Sequence, residues 1–399
     1  IIERPQDAAN VFFTYLREKV EDYVRTEKLS ENIFYSVSVP ASFEANQRQD
    51  LIRALSNAGI LVDESSLIDE PNAGFLSYLF EMEKESHKKR FLDSLAEKKS
   101  RIMVFDFGAG TCDISVLEVE VENELLLSKN LAISKFMVLG GDDIDREIAK
   151  KILLPQLVKE EEPTDVFTTI ELENVVIPRL KPEAERLKIS CCKIIDTQGL
   201  NIAKLRENTT PIKGKKIQAI TIKKQRWELT TPQITLSEFA KVMDPIINIE
   251  DRPQDQAQNV IPNIFEPIHN ALDKSGLSKD DLNMVLFIGG SCSNPVVRKA
   301  IEDYFGRFIG FYTPRDLRSH VSRGAAIHSL FFHGLDREMI RPITSETIYL
   351  ITREEGLEKV IPAGTTVPSS EIFVTEYKID GDYQQRVELP FCVGGRDTI

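Results

Sequence analysis

Apolar residues at the start of the chain recur at helical spacing. Val11, Phe12, Tyr15, Leu16, Val20 and Val24 have charges between them, which predicts a helix. Ile33 to Val39 is β-rich and stops at Pro40. Glu44 to Asn57 returns to helical period, and Gly59 is placed to close that helix. The apolar pair Leu67-Ile68 leads into Asp69-Glu70-Pro71, where Pro71 suits the first turn of a third helix. Residues 81–101 are highly charged and read as a solvated helix or hairpin connection. Arg101 to Phe107, a glycine turn, and Asp113 to Val121 then predict a β-hairpin.

Further along, Asp142 to Leu154 reads as a helix ended by Pro155. The acidic stretch 160–173 reads as a loop, Arg179 to Cys192 as a helix, and the basic stretch 201–230 as β-like. Ser237 opens another helix, interrupted by acids at 249–255. Val285 to Ile288 is a buried strand ending in Gly289-Gly290, and Ser322 to His333 is a helix rich in small residues. From Ile343 onward short alternating segments are separated by turn signals at residues 362–364 and 380–382, a separate β module. No short repeat recurs.

Composition narrows the function classes. A chain of 399 residues is too long for one ordinary core, so two or more domains are expected. A net charge of -13 repels nucleic-acid phosphates and anionic lipid, so neither is expected as a partner. It does not exclude a nucleotide, because backbone N–H groups and a metal can hold phosphate locally. Five cysteines without C-x-x-C spacing argue against a zinc site or disulfide framework and fit a reducing cytoplasm. No membrane span or signal peptide is evident. The opening Ile-Ile-Glu-Arg-Pro, without Met, reads as a truncated or processed start.

Three motifs carry candidate chemistry. In VFDFGAGTCDIS (Val104 to Ser115) a strand ends in Asp106, turns through Gly108, Ala109 and Gly110, and returns through Thr111 and Asp113. Small turn residues let amides approach a phosphate, and flanking carboxylates can orient the waters of Mg²⁺; a plain hairpin turn is the alternative. A dinucleotide fingerprint would need a third glycine and a following helix. In LGGDDID (Leu139 to Asp145) Gly140 and Gly141 precede Asp142 and Asp143, acids that also suit a helix start without any function. In VLFIGGSCSNP (Val285 to Pro295) a strand runs through Gly289 and Gly290 into a helix start that Ser291 can cap. This is either a nucleotide contact or an ordinary loop.

The order and spacing of these motifs resemble the heat shock protein 70 (DnaK-type) chaperone family of the actin-like ATPase superfamily. Tyr35 to Gly59 is similar to that family's segment with a Val-Pro-Ala turn followed by Gln-Arg-Gln. IDEPNAGFLSY resembles its Asn-Glu-Pro connecting motif, and VFDFGAGTCDIS its second phosphate motif. LGGDDID, LKPEAERLKIS, IGGSCSNP and Arg323-Gly324-Ala325-Ala326 follow in the family's order. The likeness covers roughly residues 1–334, and VIPAGTTVPSSEIFV more faintly resembles the start of the peptide-binding module.

The resemblance implies an α/β, actin-like two-lobed nucleotide-binding fold with ribonuclease-H-like lobes, followed by a small β module. The expected division is 1–100 (remainder of lobe I), 101–334 (lobe II), 335–342 (linker) and 343–399 (partial peptide-binding-like module). It implies an ATP-hydrolysing chaperone with ATP or ADP and Mg²⁺ as cofactors. Client peptides, a nucleotide exchange factor and a J-domain protein are the implied partners. Asp106 and Asp113 would hold Mg²⁺ through water, Thr111 would face the γ-phosphate, and Glu70 would help place the attacking water. Gly108, Ala109, Gly110, Gly140, Gly141, Asp142, Gly289, Gly290 and Ser291 would line phosphate and nucleoside. Glu185 and Lys188 would grip the ribose, and Pro40 and Arg48 would relay nucleotide state.

Several departures bear on activity. The family's first phosphate hairpin and its catalytic Lys align upstream of residue 1. Ala109 replaces a glycine, costing on the order of 1 kcal/mol if that position needs positive φ. Ser293 stands where many members stack an Arg on adenine, a contact worth about 1 kcal/mol, and Ile189 replaces a basic residue. Residues 335–343 (LDREMIRPI) lack the usual leucine-rich linker. These departures make weak or absent ATPase activity the expectation for this chain. The alternatives are a nucleotide-sensing scaffold and a small-molecule kinase of the same superfold.

Overall fold

The computed structural model describes residues 4–30, 32–43, 45–83, 98–122, 125–134, 137–159, 161–248, 262–337, 340–344, 347–352, 356–362, 365 and 388–393. The expected connection at 84–97, the acidic interruption at 249–255 and the turns at 363–364 and 380–382 lie outside the described residues. Two units emerge, each discontinuous in sequence. One comprises Ile1–Val104, Ser115–Ile133 and Ser319–Ile399; the other comprises Phe105–Ile114 and Ser134–Arg318. These limits differ from a division at 100/101 and 334/335, because segments far apart in sequence pair with one another.

In chain order the first unit opens with α1 (Pro5–Thr26), β1 (Val37–Val39), α2 (Ala45–Asn57), β2 (Leu67–Asp69) and α3 (Glu70–Glu83). Proline in its first turn and Asp7, whose carboxylate accepts from Arg4 N at 3.0 Å, start α1. The apolar spacing did predict this helix. Yet only Val24 is buried, while Val11, Phe12, Tyr15 and Tyr23 are more than half exposed. β1 is shorter than the β-rich run 33–39, because only three residues find a partner: Val37 to Val39 run parallel to Leu67 to Asp69. Gly59, after α2, has φ +80°, a conformation that favours glycine.

Arg48 on α2 pairs with Asp69, so it is not a free surface charge. Its Nε also donates to Phe43 O at 3.2 Å, and Asn130 Nδ2 donates to Asp69 Oδ2 at 3.4 Å. Burial pushes the Asp69 carboxyl up, and the guanidinium opposes that shift.

The same unit continues through the first part of β3 (Ser100–Phe107), the later part of β4 (Cys112–Glu122) and β5 (Leu125–Ile133), its sheet order being β3–β4–β5 and then a late strand. β4 and β5 are antiparallel, with Ser115 opposite Ile133. The second unit carries α4 (Gly141–Ile148), α5 (Ile177–Gln198), α6 (Leu236–Ile247), β6 (Met284–Ile288), α7 (Pro295–Phe305) and β7 (Gly310–Tyr312). The chain then returns to the first unit with α8 (His320–Ser329), β8 (Ile340–Ile343), β9 (Ile348–Thr352), β10 (Gly356–Ile361) and β11 (Phe391–Val393). β8 runs parallel to β5, Ile340 opposite Leu126, so the last three residues of the expected linker, 340–342, are in a strand. β9 is antiparallel to both β10 and β11, which forms the described part of the β module.

The small residues of α8 have a packing reason. A Cβ on Gly324 would fall inside the backbone of Ala73 on α3. His320, wholly buried, donates from Nε2 to Gly74 O at 2.9 Å, which leaves Nδ1 to accept from the Ser77 hydroxyl at 3.0 Å. Arg323 pairs with Glu81 at 2.5 Å.

In the second unit the strand order runs β7–β6–β3–β4 through the ends of β3 and β4. β6 is buried at every residue and parallel to β7, Met284 opposite Gly310. Phe105, Phe107 and Phe287 are fully buried, with the rings of Phe105 and Phe287 5.9 Å apart edge to face. Three local expectations need correction. Pro155 does not end a helix: a widened turn at Ala149–Leu153 shifts the hydrogen-bond register, and helix resumes over Leu154–Val158. The acidic loop 160–173 contains helical turns at Pro163–Val166 and Thr169–Glu171. Thr168 N donates to Glu171 Oε2 at 2.8 Å, and Glu171 N to Thr168 Oγ1 at 3.3 Å. The basic stretch 201–230 opens with a helix, Ile202–Glu207, capped by Asn201.

Gly324→Ala should destabilise the first unit by about 1–3 kcal/mol through overpacking, lowering the melting temperature by several degrees. A variant that melts with the wild type would mean that α3 and α8 are not held this close.

Candidate functional site

The site begins where β3 turns into β4. Gly108 N donates to Thr111 O at 3.0 Å and closes the turn. Strand alternation puts Thr111 and Asp113 on one face and Cys112 on the other. Cys112 is wholly buried, and burial holds its thiol protonated. Asp106 and Asp113 are both half-buried at the end and start of their strands. Burial pushes the Asp113 carboxyl up, and a hydrogen bond from Thr111 opposes the shift. Ala109 does not adopt a left-handed conformation, so the cost of losing a glycine there does not arise.

Two further turns close on this one. Gly141 N donates to Gly108 O at 3.1 Å, and Asp142 N to Ala109 O at 2.8 Å, so the first amides of α4 rest on the turn's carbonyls. A Cβ on Gly140 would collide with the Ala109 carbonyl and the Gly110 amide, so the missing side chain serves backbone packing. Ser291 Oγ donates to Gly108 O at 2.7 Å and does not cap a helix; Asn294 does that, accepting from Val296 N at 3.0 Å. Gly289 has φ +80°, and a Cβ there would lie 2.5 Å from both Asp106 Oδ1 and Phe107 O. By contrast, Gly110 and Gly290 face open space.

A cavity of about 620 Å³ adjoins these turns. Ala109, Gly141, Asp142 and Asp145 line one end. Helix α5 lines it along one face, from Glu185 through Lys188, Ile189 and Cys192 to Asp196, at the three- and four-residue spacing of a helix. Lys188 Nζ donates to Gly141 O and to Asp145 Oδ2, each at 2.8 Å. Asp145 is 6% exposed and its Oδ1 has no partner. Burial pushes its carboxyl up to about 6, with Lys188 opposing. Asp142 pairs with Lys181 at 2.5 Å. Burial raises the Cys192 thiol to about 12, so it is inert here.

The second unit therefore gathers Asp106, Gly108, Ala109, Gly110, Thr111, Asp113, Gly140, Gly141, Asp142, Glu185, Lys188, Gly289, Gly290 and Ser291. Glu70, Pro40 and Arg48 belong to the first unit: Glu70 opens α3, Pro40 follows β1, and Arg48 holds Asp69 next to Glu70. Sequence reading passed over Asp145, Lys181, Asn294 and Arg318. Asp145 was accessible in principle, since it lies four residues after Gly141 on the buried side of α4. The Lys188 pairing that gives it meaning is long-range. Among the described residues no group of three or more His, Cys, Asp or Glu could hold a metal directly, and no helix is long and apolar enough to cross a membrane.

In this mixed α/β unit a glycine hairpin, a helix N-terminus and a second glycine turn converge on one cavity. The sequence profile of the family described as "Hsp70 protein" matches residues 3–249 and 250–399, and the chain belongs to the Hsp70 family. Among its relatives is a protein named "Chaperone protein DnaK" from Metamycoplasma hominis. It is 26% identical over 400 residues, covering 98% of this chain and 56% of the relative. The protein of the same name from Stenotrophomonas maltophilia (strain R551-3) is 26% identical over 399 residues, covering 98% of this chain and 52% of the relative. The chain spans about half the length of these curated relatives.

Asp145 carries a pH signature. Its folded carboxyl titrates near 6, above the ordinary 3.8, so its contribution to stability is full below about pH 4 and lost as pH rises through 6. The melting temperature of the wild type, measured against Asp145→Asn, should fall by a few degrees between pH 4.5 and 7 and level off above. A pH-independent difference would show that Asp145 titrates normally.

Proposed function

We propose that this protein is a nucleotide-driven chaperone that binds ATP and ADP with Mg²⁺ in the cavity of the second unit. Hydrolysis is coupled to client-peptide binding by the β module. The observation that carries this reading is the convergence of three glycine turns on one cavity in a chain of the Hsp70 family. Open space at Gly110 and Gly290 leaves room for phosphate and nucleoside against bare backbone. Glu185 lies exposed on the cavity wall, where a ribose hydroxyl can donate to it, and Lys188 stands one turn on.

The residues suit in-line attack of water on the γ-phosphoryl, a reaction catalysed mainly by positioning and charge neutralisation. Thr111 offers its hydroxyl at the mouth of the turn. Asp106 and Asp113 are two carboxylates at one turn, a donor set that fits a hydrated Mg²⁺, which keeps most of its waters. When bound, that ion would neutralise charge on the terminal phosphates. The raised carboxyl of Asp113 supports the fit, because a desolvated acid gains most from a nearby cation. Glu70 is assigned the phosphate-sensing role by its motif. The Arg48–Asp69 pair beside it is the physical link by which α2 and the Pro40 turn would follow that carboxylate.

The same reading implies a nucleotide exchange factor and a J-domain protein as partners. The acidic surface argues against nucleic acid and lipid. Five unpaired cysteines favour the cytoplasm.

Calorimetry with ADP and Mg²⁺ should show binding near micromolar, weakened at least tenfold in Asp106→Asn, with unchanged near-ultraviolet dichroism as the folding control. A thousandfold excess of ligand over Kd should add roughly 4 kcal/mol of stability. Absence of any ADP or ATP binding by the wild type would sink the proposal. Client-peptide binding that does not respond to bound nucleotide would favour a nucleotide-sensing scaffold.

A further inference from the structure

The cavity also draws on a loop outside the three motifs. β6 and β7 are parallel neighbours, so the loops that follow them leave the sheet at the same edge. The first of these loops carries Gly290 and Ser293; the second carries Arg318; all three line the cavity together with α5. Ile189, about half exposed, and Cys192 are the apolar residues that α5 adds to the cavity, among the charged Glu185, Lys188, Lys193 and Asp196. A purine bound in this cavity would meet an apolar surface on α5 at Ile189. Its plane would lie against Ile189 on one side, and the other side would need a partner.

Among the described residues no aromatic side chain lines the cavity. Ser293 cannot stack, and its hydroxyl proton is already given to Gly290 O at 2.7 Å. Most cations around the site are committed. Lys188 is held by Asp145 and Gly141 O, Lys181 by Asp142, and Arg298 by Asp196. Arg318 differs: it is exposed, and among the described residues its guanidinium makes no hydrogen bond or ion pair. Only its backbone N–H is engaged, by Asp316 Oδ1 at 3.1 Å. Among the described residues Lys193 is the other exposed cation on this cavity, but an ammonium is a point charge without a face. A planar guanidinium can lie over a π-system and donate at its edge.

We propose that Arg318 holds the base of the bound nucleotide, its guanidinium stacked on the purine from the loop after β7. This supplies from a different segment the cation that position 293 does not carry. The inference rests on the nucleotide reading of the same cavity.

The test compares ADP with inorganic pyrophosphate, which lacks base and ribose, by calorimetry in the presence of Mg²⁺. Arg318→Ala should weaken ADP about three- to tenfold and leave pyrophosphate unchanged. Arg318→Lys should restore only part of the loss, because it returns the charge without the plane. Lys193→Ala removes the same charge from the same cavity and should affect both ligands alike, if either. Arg318→Ala binding ADP as tightly as the wild type would overturn the inference while leaving the nucleotide reading intact. So would equal weakening of ADP and pyrophosphate, which would make Arg318 a source of general electrostatic attraction. If the wild type binds no ADP, both fall.

Discussion

The carbonyl oxygen of Gly108 accepts two hydrogen bonds, one from the amide of Gly141 and one from the hydroxyl of Ser291. That single acceptor ties the hairpin between β3 and β4 to the start of α4 and to the turn after β6. Everything at the site follows from how closely these three backbones approach. Gly140 has no room for a Cβ beside Ala109, and Gly289 has none beside Asp106 and Phe107. Gly140 and Gly289 thus let protein backbones meet, whereas Gly110 and Gly290 leave open space. The open space at Gly110 and Gly290 offers room to a ligand.

The first unit uses the same constraint for a different end. Gly324 lets α8 lie against the backbone of Ala73, and the buried His320 then reaches Gly74 and Ser77. Close packing here supports polar contacts that need exact distances, not a cavity. Asp69 shows a related economy: its carboxylate is desolvated, and Arg48 and Asn130 compensate for that cost. The pair stands directly before Glu70, so the neighbourhood of that carboxylate is stiff.

The hairpin at 104–115, the strand before Gly289, the helix ended near Gly59 and the start of α3 at Glu70-Pro71 were all legible from spacing and turn chemistry. Each depends on interactions a few residues apart, which the local sequence specifies. The errors were also physical. A widened turn absorbed Pro155, a reciprocal Thr168–Glu171 cap made helix in an acidic stretch, and Asn294 took the capping role given to Ser291. In the last case a tertiary acceptor, Gly108 O, claimed the Ser291 hydroxyl. Helix α1 formed as its period requires, but period says nothing about what covers the apolar face.

By itself the sequence determined the chemistry-bearing turns, their order and the helices and strands that flank them, because amides, glycines and carboxylates within a turn interact at short range. Tertiary structure alone decided which carboxylate is buried without a partner for one oxygen, which lysine holds it, and which arginine faces the cavity uncommitted. Asp145, Lys188 and Arg318 come from three separate segments, and their burial and pairing depend on distances that no local pattern encodes.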